Sequence, residues 1–96
     1  MNISLSAIDD ILRKEDIEGL LHLGAPKDEY SREAKKIRFV LEQMSEGGVG
    51  EEDISAAVAR IWQDSFGPFT DDDIQKRAET FRSVARQIIK TNRVQL

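Results

Sequence analysis

Apolar residues recur at three- and four-residue intervals through most of the chain, and the breaks between these runs predict four helices. The first run is Ala7, Ile8, Ile11 and Leu12, which predicts a short helix over 6–14 with Ser6 as N-cap and Asp9 as its capping-box partner. A helix of this length is marginal alone and must dock against something. The second run is Ala34, Ile37, Val40, Leu41 and Met44, a stripe on a helix over 32–44 capped by Ser31. Lys35, Lys36, Arg38 and Glu42 fall off that stripe, and Phe39 lies at its edge. The third run, Ile54, Val58, Ile61, Trp62 and Phe66, places a helix over 51–66 that Gly67 and Pro68 terminate. The fourth, Ile74, Ala78, Phe81, Val84, Ala85, Ile88 and Ile89, begins after a Thr70/Asp73 box and frays around 91–92. The expected core is Ile8, Ile11, Leu12, Ile37, Leu41, Ile54, Val58, Ile61, Trp62, Phe66, Phe81, Val84 and Ile88.

Between the first two helices, 15–30 carries no sustained period, and Gly19 and Gly24 interrupt it. Leu20, Leu21 and Leu23 cannot all face water without making a large apolar patch, so they are, with Gly24 and Pro26, the candidate anchors of an ordered loop, and at least two of the leucines are expected to pack under the first or third helix. Gly24 is the expected turn residue with positive φ, because the chain must reverse before Pro26. The 45–50 stretch, with Gly47-Gly48-Val49, reads as a flexible link. No segment alternates apolar and polar residues, so the fold class is all-α: one domain, a small antiparallel bundle of three main helices and one short N-terminal helix.

Composition narrows the function classes. With 96 residues, 40% of them hydrophobic and 33% charged, the chain suits one small core. No apolar run approaches the 20 or so residues a membrane span needs, so no membrane role is expected. Asp9 and Asp10 interrupt the only N-terminal apolar stretch, which argues against a cleavable signal. There is no cysteine, which excludes disulfides and thiolate chemistry and fits the cytoplasm. A net charge of −4 opposes nucleic-acid binding. The acidic start and basic finish of the last helix, Asp71-Asp72-Asp73 against Lys76 to Arg93, complement its dipole.

Candidate chemistry is sparse. Asp71 to Arg82 fails the calcium-loop pattern, with Lys76 at the sixth position where glycine belongs and Arg82 at the twelfth where glutamate belongs. Gly47-Gly48-Val49-Gly50 lacks the Gly-Lys-Ser/Thr of a phosphate loop. Neither a metal nor any other cofactor is therefore expected. The single histidine, His22, sits among leucines. The one catalytic constellation to weigh is His22, Asp28, Glu29 and Tyr30 on the loop, since loops on rigid scaffolds often carry function. Asp28 and Glu29 also precede a helix, where either can cap free amides. Phe69, just before Thr70, is placed as a hydrophobic staple near Ile74, and Tyr30, before Ser31 in the same way, is placed to pack near Lys35 or the following turn.

The segment Gly19-Leu20-Leu21-His22-Leu23-Gly24-Ala25-Pro26-Lys27-Asp28-Glu29-Tyr30 resembles the G-L-L-x-x-G-A-P-x-D-E-Y segment of a family of short bacterial all-helical domains of unknown function. Ile61-Trp62-Gln63-Asp64-Ser65-Phe66-Gly67 is similar to that family's later aromatic segment. The chain departs at Glu15-Asp16-Ile17-Glu18, where Ile17 takes the position of a proline. The resemblance implies a small helical fold and no reaction. The leading expectation is a non-enzymatic protein-interaction module with Asp28, Glu29, Tyr30, Phe39 and Phe69 as contact candidates, joined by Val94 and Leu96. An immunity or antitoxin-type partner protein is the alternative within that class, a homodimer is open, and an enzyme using the loop is the rival from another class.

Overall fold

The computed structural model of the chain describes residues 3–26, 28–44 and 50–94, with side chains through residue 92. The Gly47-Gly48-Val49 link, Lys27, Leu96 and the side chain of Val94 lie outside the described residues. Four helices form where the stripes predict them: α1 (Leu5–Glu15), α2 (Ser31–Gln43), α3 (Glu51–Phe66) and α4 (Asp71–Val94). No strand occurs among the described residues.

The caps explain the boundaries. α1 starts earlier than the spacing suggests, because Ser4 rather than Ser6 caps it: its Oγ accepts from the Ala7 amide at 3.1 Å. Asp9 therefore has no capping duty. Its Oδ2 lies 3.5 Å from Arg13 Nε, and its Oδ1 is buried without a hydrogen-bond partner. At α2, Tyr30 occupies the N-cap position and no side chain caps the helix, so Ser31 is its first residue rather than its cap. At α4 the expected box is reciprocal: Thr70 N donates to Asp73 Oδ2 at 3.0 Å, and Asp73 N donates to Thr70 Oγ1 at 3.1 Å. Those bonds, backbone first, hold the Asp73 carboxyl below the usual carboxylate range. α4 does not fray at 91–92 but continues to Val94. α3 stops at Gly67, whose N–H donates to Gln63 O at 2.8 Å. A Cβ at Gly67 would run into that same carbonyl, so close approach demands glycine there.

Each helix packs on two others: α1 on α2 and α4, and α3 on α2 and α4. The four stripes thus close a ring around one core. Every residue expected there is buried except Phe66, which packs half-buried at the edge. Ile3, Tyr30, Ala34 and Ala85 join them. At the centre of one end Trp62 stacks among Tyr30 and Phe66, with ring centroids 5.6 and 5.1 Å from its own. Tilted aromatic pairs at this separation add to simple area burial. We expect Trp62→Ala to lose about 3–5 kcal/mol in urea denaturation, and Trp62→Phe, which keeps most of the packing, to lose clearly less.

Candidate functional site

The segment between α1 and α2 is held by two carboxylates rather than by its leucines alone. α1 ends when Asp16 enters the left-handed region (φ 43), a conformation Asp tolerates better than most residues. This turns the Asp16 side chain back over the loop. Its Oδ1 accepts from Leu21 N at 3.1 Å and from the Tyr30 hydroxyl at 2.6 Å, and its Oδ2 accepts from His22 N at 3.0 Å. Partial burial pushes the Asp16 carboxyl up, but the bonds from Tyr30, Leu21 and His22 outweigh it and hold it below the usual range. Burial, and then the bond to Asp16, push the Tyr30 hydroxyl well above its ordinary value. Backbone bonds complete the loop: Leu23 N to Gly19 O at 3.1 Å and Ala25 N to Leu20 O at 2.9 Å.

Glu18 ties this loop to the far helices. Its carboxylate takes Arg77 in a fork, Nε to Oε1 at 2.6 Å and Nη2 to Oε2 at 2.8 Å, and also accepts from Trp62 Nε1 at 2.9 Å. Arg77 gives its remaining direction to the Asp73 carbonyl at 3.0 Å and lies 4.4 Å over the Phe69 ring. The Glu18 hydrogen bonds raise the Arg77 pKa further above its already high value. One turn earlier, Glu15 Oε1 accepts from Ser83 Oγ at 2.6 Å and Gln87 Nε2 at 2.7 Å. Nothing in the sequence pattern distinguished Asp16 and Glu18 from surface acids. The available signal was Trp62 on a core stripe, whose indole N–H needs an acceptor when buried.

These contacts settle where the candidate residues lie. Gly24 has φ +100, as expected of the turn, and Gly19 has φ +68. Leu20 and Leu21 pack against the core, but Leu23 does not anchor the loop: it is 80% exposed, because Asp16 holds the neighbouring backbone in its place. Pro26 is exposed as well. Tyr30 is not a surface contact and does not reach outward toward Lys35; it is fully buried, with its hydroxyl on Asp16. His22, Asp28 and Glu29 are exposed. Of these four, Tyr30 is thus committed to Asp16 inside the fold, while the other three side chains face solvent. Asp28 supports α2 only through its carbonyl, which accepts from Ser31 N at 3.0 Å; neither Asp28 nor Glu29 caps the helix with its side chain. Phe69 is half-buried beneath Arg77.

Among the described residues, the large apolar side chain left exposed on a helix is Phe39, 64% exposed. It borders a groove of about 430 Å³ between α2 and α3, lined with Lys35, Lys36, Val40, Arg60, Ile61 and Asp64. On its other side Phe39 overlooks a smaller hollow of about 210 Å³ reaching Leu5 and Glu42. Lys36 Nζ reaches Ser65 Oγ at 3.4 Å and Arg38 pairs with Glu42 at 3.4 Å, whereas Lys35 and Arg60 have no carboxylate partner among the described residues. This face is basic on a chain whose net charge is −4. No helix among the described residues is long and apolar enough to cross a membrane. No family model, curated protein or solved structure matches the chain.

Two outcomes follow from the loop. Because the Asp16 carboxyl titrates lower when folded, its contribution is present above the ordinary carboxylate value near pH ~4 and is lost as pH falls through the lower folded value. Asp16→Asn should therefore be less stable than wild type at neutral pH by about 1–2 kcal/mol, and urea titrations should show the difference shrinking between about pH 5 and pH 3. Asp28→Ala with Glu29→Ala should leave the melting curve within about 0.5 kcal/mol of wild type, less than the loss of a true cap.

Proposed function

We propose that the chain is a protein-interaction module whose contact surface is the α2–α3 groove around Phe39, with no catalytic centre of its own. The observation that carries this reading is Phe39 itself, a large aromatic side chain 64% exposed on a rigid helix beside an apolar groove. Leaving it in water forgoes about 2 kcal/mol that burial against a partner would return. Exposed aromatics set beside pockets are the side chains that dominate interface energies. Asp28 and Glu29, exposed just before α2, are further contact candidates, where a charge contributes more to association rate than to affinity. A partner-neutralising role of the immunity or antitoxin kind, acting in the cytoplasm, is one form such a module takes. The family resemblance of the 19–30 segment is compatible with it, because that segment builds the scaffold and supplies no reaction.

The test is a photoreactive phenylalanine analogue placed at position 39 and irradiated in extract of the source cell. One discrete protein adduct is expected from position 39 and none from position 90 on α4. Adducts equal at both positions, or at neither, would overturn the assignment.

A further inference from the structure

Resting on the interaction reading above, we infer that the occupant of the Phe39 groove is an amphipathic α-helix that carries acidic residues beside its apolar stripe. The groove supplies an apolar base, Phe39, Val40 and Ile61, with cations on both walls: Lys35 and Lys36 from α2 and Arg60 from α3. Apolar side chains at three- and four-residue spacing fit such a base, and carboxylates flanking them meet both walls. Lys35 and Arg60 have no acidic partner among the described residues, so a carboxylate brought to them displaces no existing ion pair. Asp64 is the single acid in the lining and marks where the partner's acids should be absent.

The net charge of −4 does not cancel this preference. At physiological ionic strength charges are screened beyond about 8 Å, so a docked helix responds mainly to the groove's own three cations and one anion. The same charges argue against a second copy of this chain. A two-fold interface brings one surface patch against an identical patch, here three cations and one anion against the same net positive charge. An extended peptide finds no unpaired strand edge here, since both walls are helices whose backbone bonds are already made. A phosphate backbone would gain the cations but leave Phe39 and its apolar base uncovered.

The experiment measures fluorescence anisotropy of the full chain with labelled peptides of about 18 residues, long enough to be helical when docked. All carry leucine at i, i+4, i+7 and i+11. One has glutamate flanking that stripe, one has lysine there, and one keeps the glutamates but has a central proline. The glutamate peptide is expected to bind about tenfold tighter than either of the others. Phe39→Ala should weaken it about tenfold, and Lys35→Glu with Arg60→Glu should invert the preference toward the lysine peptide. These three residues are exposed, and an unchanged circular dichroism melt identifies variants that remain folded.

Equal binding of the glutamate and lysine peptides overturns the acidic partner, and equal binding of the proline peptide overturns the helix. A concentration-dependent dimer abolished by Phe39→Ala makes the occupant a second copy and overturns the inference. If no peptide binds but the position-39 adduct forms, the acidic helix falls and the interaction reading stands. If neither is seen, both fall.

Discussion

Two polar aromatic side chains have been put into the core of a very small protein, and each must find an acceptor without reaching water. Tyr30 and Trp62 lie ring against ring and are fully buried. A buried hydroxyl or indole N–H left unpaired costs about 1–3 kcal/mol, a large share of what a domain of this size has to hold it folded. Asp16 answers Tyr30 and Glu18 answers Trp62, from positions two residues apart in the same turn. Placing those acids there fixes the rest: the left-handed exit from α1, the closed 16–30 loop, and the position of Arg77 on α4. The acids are tolerable because each carboxylate is multiply bonded, Asp16 by two amides and a hydroxyl, Glu18 by an indole and a guanidinium.

This explains which parts of the fold were legible in the sequence. Helical stripes are a one-dimensional signal, and they located all four helices and nearly all of the core, down to the Thr70/Asp73 box. The loop depends on contacts between residues 14 and 59 positions apart, Tyr30 with Asp16 and Arg77 with Glu18, and no periodicity encodes these. Leucines therefore appeared to be the anchors when amides on a carboxylate carry much of that duty, and Leu23 is left in solvent. In sequence Tyr30 stands beside the surface acids Asp28 and Glu29, yet it occupies the N-cap position of α2 with its side chain buried. Phe39 was legible as an edge residue of its stripe, but the groove beside it was not, since Arg60 and Ile61 are brought there by α3.

The division of labour in the loop is also instructive. Its inner side is committed to structure by Asp16, Glu18, Leu20 and Leu21, while on its outer side the described residues between His22 and Glu29 make no hydrogen bond or ion pair through their side chains. Substitution on the outer side is thus buffered from the core. The α2–α3 face shows the same separation, with Ile37 and Leu41 inward and Lys35, Lys36 and Phe39 outward on one helix. Surface chemistry at the groove can change without disturbing the packing that presents it.

Closure of the helical ring has a consequence for how the protein is made. The first helix packs directly on α4 and is joined to it by the bond from Gln87 to Glu15, while Arg77 of α4 binds Glu18 in the adjoining loop; both bonds span most of the chain. A nascent chain emerging from the ribosome has α1, the loop and α3 in hand while the partner of all three is still being synthesised. Until α4 appears, the sides of α1 and α3 that it covers are open to water and Glu18 lacks its guanidinium partner. The core therefore closes only once α4 is in place, because both α1 and α3 need it as a packing partner.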